Sequence, residues 1–121
     1  MCHALIIEDE PFIALHVADL VEEAGAKSVE LAGSESGAIR AASHRKPDII
    51  LCDVNLLEGN GPAAVRAIRE RHGMIPVIFV TANVEGLEDS YEDASVVAKP
   101  FAGEHLIAEF NRLLRSNSVS A

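Results

Sequence analysis

The chain has 121 residues, of which 49% are hydrophobic, and these values are typical of one globular domain with a single core. Its formal net charge is −9, from 10 basic and 19 acidic residues, which argues against nucleic acid as a partner because phosphate binding depends on Lys and Arg. The N-terminus leads into a short apolar run without a charged leader, so we expect neither a signal peptide nor a membrane span.

Short apolar runs alternate with amphipathic stretches along the chain and predict five strands. These strands are Ala4–Ile7, Ser28–Ala32, Ile49–Cys52, Val77–Val80 and Ser95–Ala98. Four of the runs are nearly continuously apolar, which is typical of strands covered on both faces. The run Ser28–Ala32 alternates between apolar and polar residues and therefore suits an edge strand. Strands that alternate with helices predict right-handed crossovers and a parallel α/β sheet.

Helical spacing of apolar residues fills most of the intervals between these strands. We expect the first helix to begin near Pro11 and to stop at Gly25, and the second to end before Pro47. The third helix should begin near Pro62 and end at Gly73.

The last part of the chain gives a weaker pattern followed by a stronger one. The stretch Asn83–Asp93 is short and acidic, and its poor apolar pattern predicts at most a short or irregular fourth helix. A clear final helix carries apolar residues at Leu106, Phe110, Leu113 and Leu114. We expect it to end at Arg115, so that residues 1–115 form one domain and residues 116–121 a disordered tail.

The two cysteines, Cys2 and Cys52, fall at opposite ends of parallel strands, so we expect no disulfide between them. Free thiols fit a reducing cytoplasm, which is the predicted location of the protein. Cys52 precedes Asp53, so its side chain should point to the other face of the sheet as a core thiol. The five histidines show no spacing typical of metal ligands.

Chemically active side chains stand at the ends of four predicted strands. Glu8 and Asp9 follow the first strand, Asp53 the third, Thr81 the fourth and Lys99 the fifth. The carboxyl ends of parallel strands share one edge of a sheet, so three carboxylates, a hydroxyl and an ammonium group should gather there. This combination indicates a site for a divalent metal and a phosphoryl group.

Each of these residues also has an ordinary structural interpretation. Asp53 could cap the loop that follows it, and Glu8 with Asp9 could favour a helix N-terminus. Lys99 could be a solvated loop residue, and Thr81 a β-branched strand residue. To account for the pattern, all the ordinary interpretations would have to apply at once, at five residues that each follow or end a strand. A functional site explains the five residues together, and we therefore favour it.

This arrangement resembles the receiver domain of bacterial two-component response regulators, over essentially the whole chain. The resemblance rests on Glu8-Asp9, Asp53, Thr81 and Lys99-Pro100-Phe101. It implies a doubly wound, flavodoxin-like (βα)5 fold with strand order 2-1-3-4-5. It also implies a CheY-like receiver of the single-domain type that works in a two-component phosphorelay.

The resemblance assigns a role to each residue of the set. Asp53 would be the phosphoacceptor, which forms an aspartyl phosphate from the phosphohistidine of a histidine kinase or a histidine phosphotransfer protein. Lys99 would supply a positive charge to the phosphoryl group, and Thr81 a hydroxyl hydrogen bond. Mg²⁺ would be held by Glu8, Asp9, Asp53 and the backbone carbonyl of Asn55.

Four further positions are implied to modulate the site. The small Ala82 leaves access for the phosphoryl group, and Asn83 should influence, with Asn55, how fast water attacks the phosphate. Lys99-Pro100 resembles the cis peptide bond of the family. Val96 stands where many receivers carry Tyr or Phe, so any movement of Thr81 must be read out differently.

Two hypotheses concern surfaces rather than the site. Tyr91, the only tyrosine, lies in the stretch Asn83–Asp93 and could pack over this loop and report on phosphorylation in place of the missing aromatic residue. The face of the first helix with Phe12, Ile13 and His16 is a candidate docking surface for the phosphodonor.

We therefore predict a stand-alone receiver that catalyses its own phosphorylation and autodephosphorylation at Asp53, without an external substrate. It would signal by protein contact or act as a phosphate sink. The main alternative is a receiver fold that binds partners without phosphorylation. A Mg²⁺-dependent phosphatase is disfavoured because Asn55 stands where a second Asp is expected, and a flavin binder because Glu8 and Asp9, not a phosphate loop, follow the first strand.

Overall fold

A five-stranded parallel sheet forms the centre of the fold. The structure is a computed structural model that describes residues 2–82 and 93–119. The strands are β1 (His3–Ile7), β2 (Ser28–Ala32), β3 (Ile49–Cys52), β4 (Val77–Thr81) and β5 (Ala94–Ala98). Their order is β2-β1-β3-β4-β5, so the predicted flavodoxin-like order is confirmed.

Four helices cover the two faces of this sheet in the part of the chain that the structure describes. They are α1 (Pro11–Glu23), α2 (Glu35–His44), α3 (Gly61–His72) and α4 (Gly103–Val119). Residues of α1 and α4 share one apolar cluster, and residues of α2 and α3 share the other. The doubly wound α/β architecture is therefore confirmed.

The two clusters are built from alternate residues of the central strands. In β3, Leu51 enters the cluster beneath α1 and α4, whereas Ile50 and Cys52 enter the one beneath α2 and α3. The strands β1, β3 and β4 are buried along their whole length, as their continuous apolar runs predict. The same interpretation was wrong for β5, of which only Val97 is buried, because β5 pairs with β4 alone and forms the second edge.

The helix boundaries follow the local signals in the sequence. Pro11 begins α1, and Gly73 ends α3 with a φ of 93°, a left-handed conformation that favours glycine. The Asn60 side chain caps α3 by accepting a hydrogen bond from the Ala63 amide at 2.8 Å. The helix α4 continues to Val119, beyond the predicted end at Arg115, since each further residue of a formed helix adds a backbone hydrogen bond at little cost.

Three expectations fall on residues outside the described ranges. These are the short or irregular helix within Asn83–Asp93, of which only Asp93 is described, and the roles of Asn83 and Tyr91. Both cysteines are free thiols, and Cys52 lies in the core as predicted. Among the described helices, none has the length and apolarity needed to cross a membrane.

Candidate functional site

Three carboxylates meet where the central strands β1 and β3 end. Ile7 and Cys52 are partners in the ladder between these strands, so the residues after them, Glu8 and Asp53, lie side by side. Asp9 follows at the start of the turn into α1. One oxygen of each carboxylate lies within 4.8 Å of one oxygen of both others. Parallel pairing thus places close together three acids that are up to 45 residues apart in the chain.

Lys99 lies between two of these acids. Its ammonium nitrogen is 2.9 Å from Oε1 of Glu8 and 3.1 Å from Oδ2 of Asp53. Burial alone would lower the pKa of Lys99, but the hydrogen bonds to Glu8 and Asp53 outweigh this and raise the pKa. Lys99 is therefore firmly protonated and supplies a fixed positive charge at the site.

Glu8 is the most buried of the three acids, with 4% of its side chain exposed. Burial raises its pKa, the hydrogen bonds from Lys99 and from the Glu10 amide lower it, and the charge of Asp53 raises it again, so that the net shift is upward. Both oxygens of the Glu8 carboxylate already accept hydrogen bonds, from Lys99 and from the backbone of Glu10. Glu8 is thus held in one position by its neighbours.

The backbone around Asp53 is tightly held. Its amide donates to the carbonyl of Ile7 at 2.9 Å, and its own carbonyl accepts a hydrogen bond from the Cys52 thiol at 3.1 Å. The side chain is half-buried: Oδ2 accepts from Lys99, and Oδ1 lies 3.3 Å from the amide of Asn55. The strand and the loop therefore both fix the direction of this carboxylate.

The loop between β3 and α3 forms one wall of the site. The Leu57 amide donates to Oδ2 of Asp9 at 2.6 Å, while the Leu57 side chain is 90% exposed. This contact was not predicted from the sequence. No residue type in the loop signals it, because the contact uses the backbone amide of Leu57 and not its side chain.

The other predicted site residues lie around this centre. Thr81 ends β4 and is fully buried, and its carbonyl accepts a hydrogen bond from the Lys99 amide at 2.9 Å. Ala82 is exposed next to it, and the peptide bond between Lys99 and Pro100 is cis, as expected from the resemblance. Val96 is half-buried and packs against the cluster beneath α2 and α3.

An apolar concavity of about 440 Å³ adjoins the acidic centre. It is lined by Ile13, His16, Ala82, Lys99, Pro100 and Phe101. The rings of two of these residues, His16 and Phe101, stack with centroids 5.7 Å apart. Because Lys99 lines the concavity and also contacts Glu8 and Asp53, the two features are directly connected.

Comparison with known proteins decides the family. The family model of the response regulator receiver domain matches residues 4–111. This chain belongs to that family. Receiver domains bind Mg²⁺ at an acidic pocket and pair with histidine kinases or phosphotransfer proteins.

Curated relatives of this receiver are longer proteins. The phyllosphere-induced regulator PhyR of Methylorubrum extorquens is 37% identical over 114 residues, which cover 91% of this chain and 42% of PhyR. The probable transcriptional regulatory protein TcrX of Mycobacterium tuberculosis is 30% identical over 122 residues, which cover 96% of this chain and 51% of TcrX. The receiver thus spans about half, or less, of the length of these relatives.

Solved receiver structures match the whole architecture. The solution structure of the PhyR receiver domain from Erythrobacter litoralis has a TM-score of 0.85 and 32% identity, and the match covers 94% of this chain and 90% of that one. The receiver domain of the sensor histidine kinase PA1611 from Pseudomonas aeruginosa has a TM-score of 0.82 and 26% identity, with coverages of 94% and 98%. That structure holds a magnesium ion in its active-site cleft.

Proposed function

We propose that this receiver takes up a phosphoryl group on Asp53 from the phosphohistidine of a histidine kinase or a histidine phosphotransfer protein. One observation carries the proposal. The carboxylate of Asp53 lies 3.1 Å from the ammonium of Lys99, and one of its oxygens is within 4.8 Å of oxygens of Glu8 and Asp9. A nucleophile, a fixed cation and two further carboxylates therefore share one place.

The donor set fits a magnesium ion. Glu8, Asp9 and Asp53 offer only carboxylate oxygens, which are the ligands that hard divalent cations prefer. We infer that these three side chains and the backbone carbonyl of Asn55 would hold the ion. When bound, Mg²⁺ supplies positive charge that offsets the repulsion between a carboxylate and an anionic phosphoryl group.

The residues of the chain define the transfer itself. A side-chain oxygen of Asp53 attacks the phosphorus, and an oxygen–phosphorus bond forms. The bond between phosphorus and the histidine nitrogen breaks, and its electron pair returns to the imidazole, which then takes up a proton. Lys99 would hold its charge against the phosphoryl oxygens, Thr81 would donate its hydroxyl, and the small Ala82 would leave room. Asn55 and Asn83 would then set the rate at which water removes the phosphoryl group.

The partner that brings the phosphoryl group would dock on α1 and the adjoining concavity. Phe12 is 87% exposed at the start of α1, and Ile13 and His16 line the concavity beside Lys99. The helix carries acidic residues but no Lys or Arg. We therefore expect a partner surface with apolar residues around its phosphohistidine and basic residues farther along the helix.

The output would be a contact with another protein in the cytoplasm, or the draining of phosphate from a kinase. Because Val96 lies at the centre of β5 as an aliphatic residue, the phosphorylated state cannot be read through an aromatic side chain at that position. A phosphorylation-dependent shift between two conformations would change the surface that the second protein binds.

Mass spectrometry after incubation with phosphoramidate and Mg²⁺ tests the proposal. Phosphoramidate carries the same phosphorus–nitrogen bond as phosphohistidine and needs no docking surface. We expect one phosphoryl adduct on the wild type, none on Asp53→Asn, and none when EDTA removes the metal. The matched control is Asp19→Asn, which changes an exposed acid on α1 and should keep the adduct.

The absence of an adduct on folded wild type that binds Mg²⁺ would contradict phosphoacceptance. It would favour a binding module that acts without phosphorylation. An adduct that persists in Asp53→Asn would place the acceptor at another residue.

A further inference from the structure

Glu35, the first residue of α2, holds the loop between β3 and α3 at residues other than those that contact the acidic centre. Its backbone amide donates to the carbonyl of Glu58 at 3.1 Å, and its Oε1 accepts a hydrogen bond from the Asn60 amide at 3.1 Å. Gly59 lies so close that an added Cβ would be 2.5 Å from Oε1 of Glu35 and nearer still to its Cβ. The helix and the loop therefore interlock at three consecutive loop residues.

The other side of the same loop contacts the site. The Leu57 amide donates to Asp9 at 2.6 Å, and the Asn55 amide lies 3.3 Å from Asp53. Glu35 itself is not one of the three acids whose oxygens meet at the site. The loop thus connects a carboxylate on α2 to the acids that would bind the cation.

Burial contributes little to the order of this loop, because residues 57–60 are all exposed. Its conformation depends instead on hydrogen bonds at its two sides, since each ordered backbone residue opposes folding entropically. Removal of the bonds on one side should therefore loosen the contacts on the other.

We propose that Glu35 is a positioning residue of the phosphoacceptor site: it fixes the loop so that the Leu57 amide meets Asp9 and the Asn55 carbonyl faces the cation position. This inference rests on the proposed function for the role of the cation. Glu35 touches neither the cation position nor the reacting atoms, and it acts through the loop.

The test compares Glu35→Ala with Glu35→Gln. Both variants lose the negative charge that favours a helix N-terminus, but glutamine keeps an oxygen that accepts the Asn60 hydrogen bond, and alanine does not. The readout is the solvent exchange of the Leu57 amide, followed by NMR without metal. We expect exchange roughly tenfold faster in Glu35→Ala, as the loss of a charged acceptor implies, and near the wild-type rate in Glu35→Gln.

The matched control is Ser36→Ala, an exposed change at the next position of α2, which should leave the Leu57 amide unaffected. If the role of Glu35 is purely local, Glu35→Ala will speed up solvent exchange only at the Asn60 amide, which donates a hydrogen bond to Glu35. That result would overturn the proposal. Equal acceleration in Glu35→Ala and Glu35→Gln would also overturn it, because the charge and not the acceptor would then be responsible.

A titration with Mg²⁺ alone, followed by calorimetry, completes the experiment. Glu35→Ala should bind Mg²⁺ roughly tenfold more weakly than the wild type, in the range known for residues that orient metal ligands, and Glu35→Gln should bind it normally. Unchanged affinity in Glu35→Ala would overturn the positioning role. If the wild type forms no Mg²⁺-dependent adduct, the proposed function fails, while the metal-free Leu57 exchange still decides whether Glu35 positions the loop.

Discussion

Replacement of Gly61 by alanine should destabilise the fold, because α3 begins in direct contact with the backbone of Asp53. A Cβ at Gly61 would lie 2.5 Å from the Sγ of Cys52, 3.0 Å from the carbonyl carbon of Asp53, and nearer still to its carbonyl oxygen. Ordinary contacts of a Cβ atom begin near 3.4 Å, so the helix and the strand end would have to separate by about 1.5 Å. The amide of Gly61 also donates to Val54 at 2.9 Å and would be displaced.

The magnitude follows from three contributions. Overpacking of a tight contact costs about 1–3 kcal/mol, and the upper end applies because two of the contacted atoms belong to the backbone. Weakening of the hydrogen bond to Val54 adds ~1 kcal/mol, and the lower entropy of alanine in the unfolded chain returns ~0.7 kcal/mol. We expect a net loss of about 3 kcal/mol in the free energy of unfolding, or roughly 10 °C in Tm.

Urea denaturation followed by circular dichroism measures this loss. Gly33→Ala is the matched control: it lies at the same edge of the sheet, but an added Cβ there would meet its nearest atoms at 3.9 Å. Only the lower entropy of alanine in the unfolded chain applies there, so Gly33→Ala should keep or raise the free energy of unfolding, by no more than ~1 kcal/mol. If Gly61→Ala were as stable as Gly33→Ala, the close approach of α3 to Asp53 would not constrain the fold, and the reasoning would be refuted.

Three further predictions concern titratable groups. Because the pKa of Lys99 is raised, its charge contributes fully to the free energy of unfolding below the ordinary value of 10.5, and this contribution is lost as the pH rises through the raised pKa. Urea denaturation should show this alkaline loss in the wild type and not in Lys99→Met. An equal loss in the two proteins would contradict the assignment. Burial and then the charge of Arg45 lower the pKa of His3, so the free energy of unfolding should fall as the pH drops below 6.5. The fall should be less steep in His3→Gln, and an equally steep fall in both proteins would contradict the assignment. Burial raises the pKa of Cys52, so iodoacetamide should modify Cys2 first and Cys52 only on unfolding. Peptide mapping of the labelled protein measures this order, and early labelling of Cys52 would contradict the prediction.

The strands could be predicted almost to the residue because apolar runs reflect burial on both faces. The bounds of β2 and β3 agree with the sequence-based prediction, and β1, β4 and β5 differ by one residue each. The burial of β5 could not be predicted in the same way. Its residues Ala94–Ala98 are small or apolar whether the strand lies inside the sheet or at its edge, and only the pairing order distinguishes the two.

The centre of the site could also be predicted, because topology alone brings the ends of parallel strands together. The sequence does not indicate how the loop between β3 and α3 contacts the site. The contacts of Leu57 with Asp9 and of Glu35 with Asn60 use backbone amides, and no residue type marks the direction of an amide in a loop. Such contacts depend on the conformation of residues 55–60, which the sequence restricts only through Gly59 and the cap residue Asn60.

Lys99 follows the edge strand of the sheet, but its side chain contacts acids at the ends of two central strands. It follows β5, which pairs only with β4, yet its ammonium contacts Asp53 after β3 and Glu8 after β1. The side chain therefore braces the outermost strand against two strands with which it shares no backbone hydrogen bonds. Any group that draws the ammonium away from Glu8 or Asp53 removes this brace. A change in the charge of the Asp53 carboxylate therefore also changes how strongly β5 is held to the rest of the sheet.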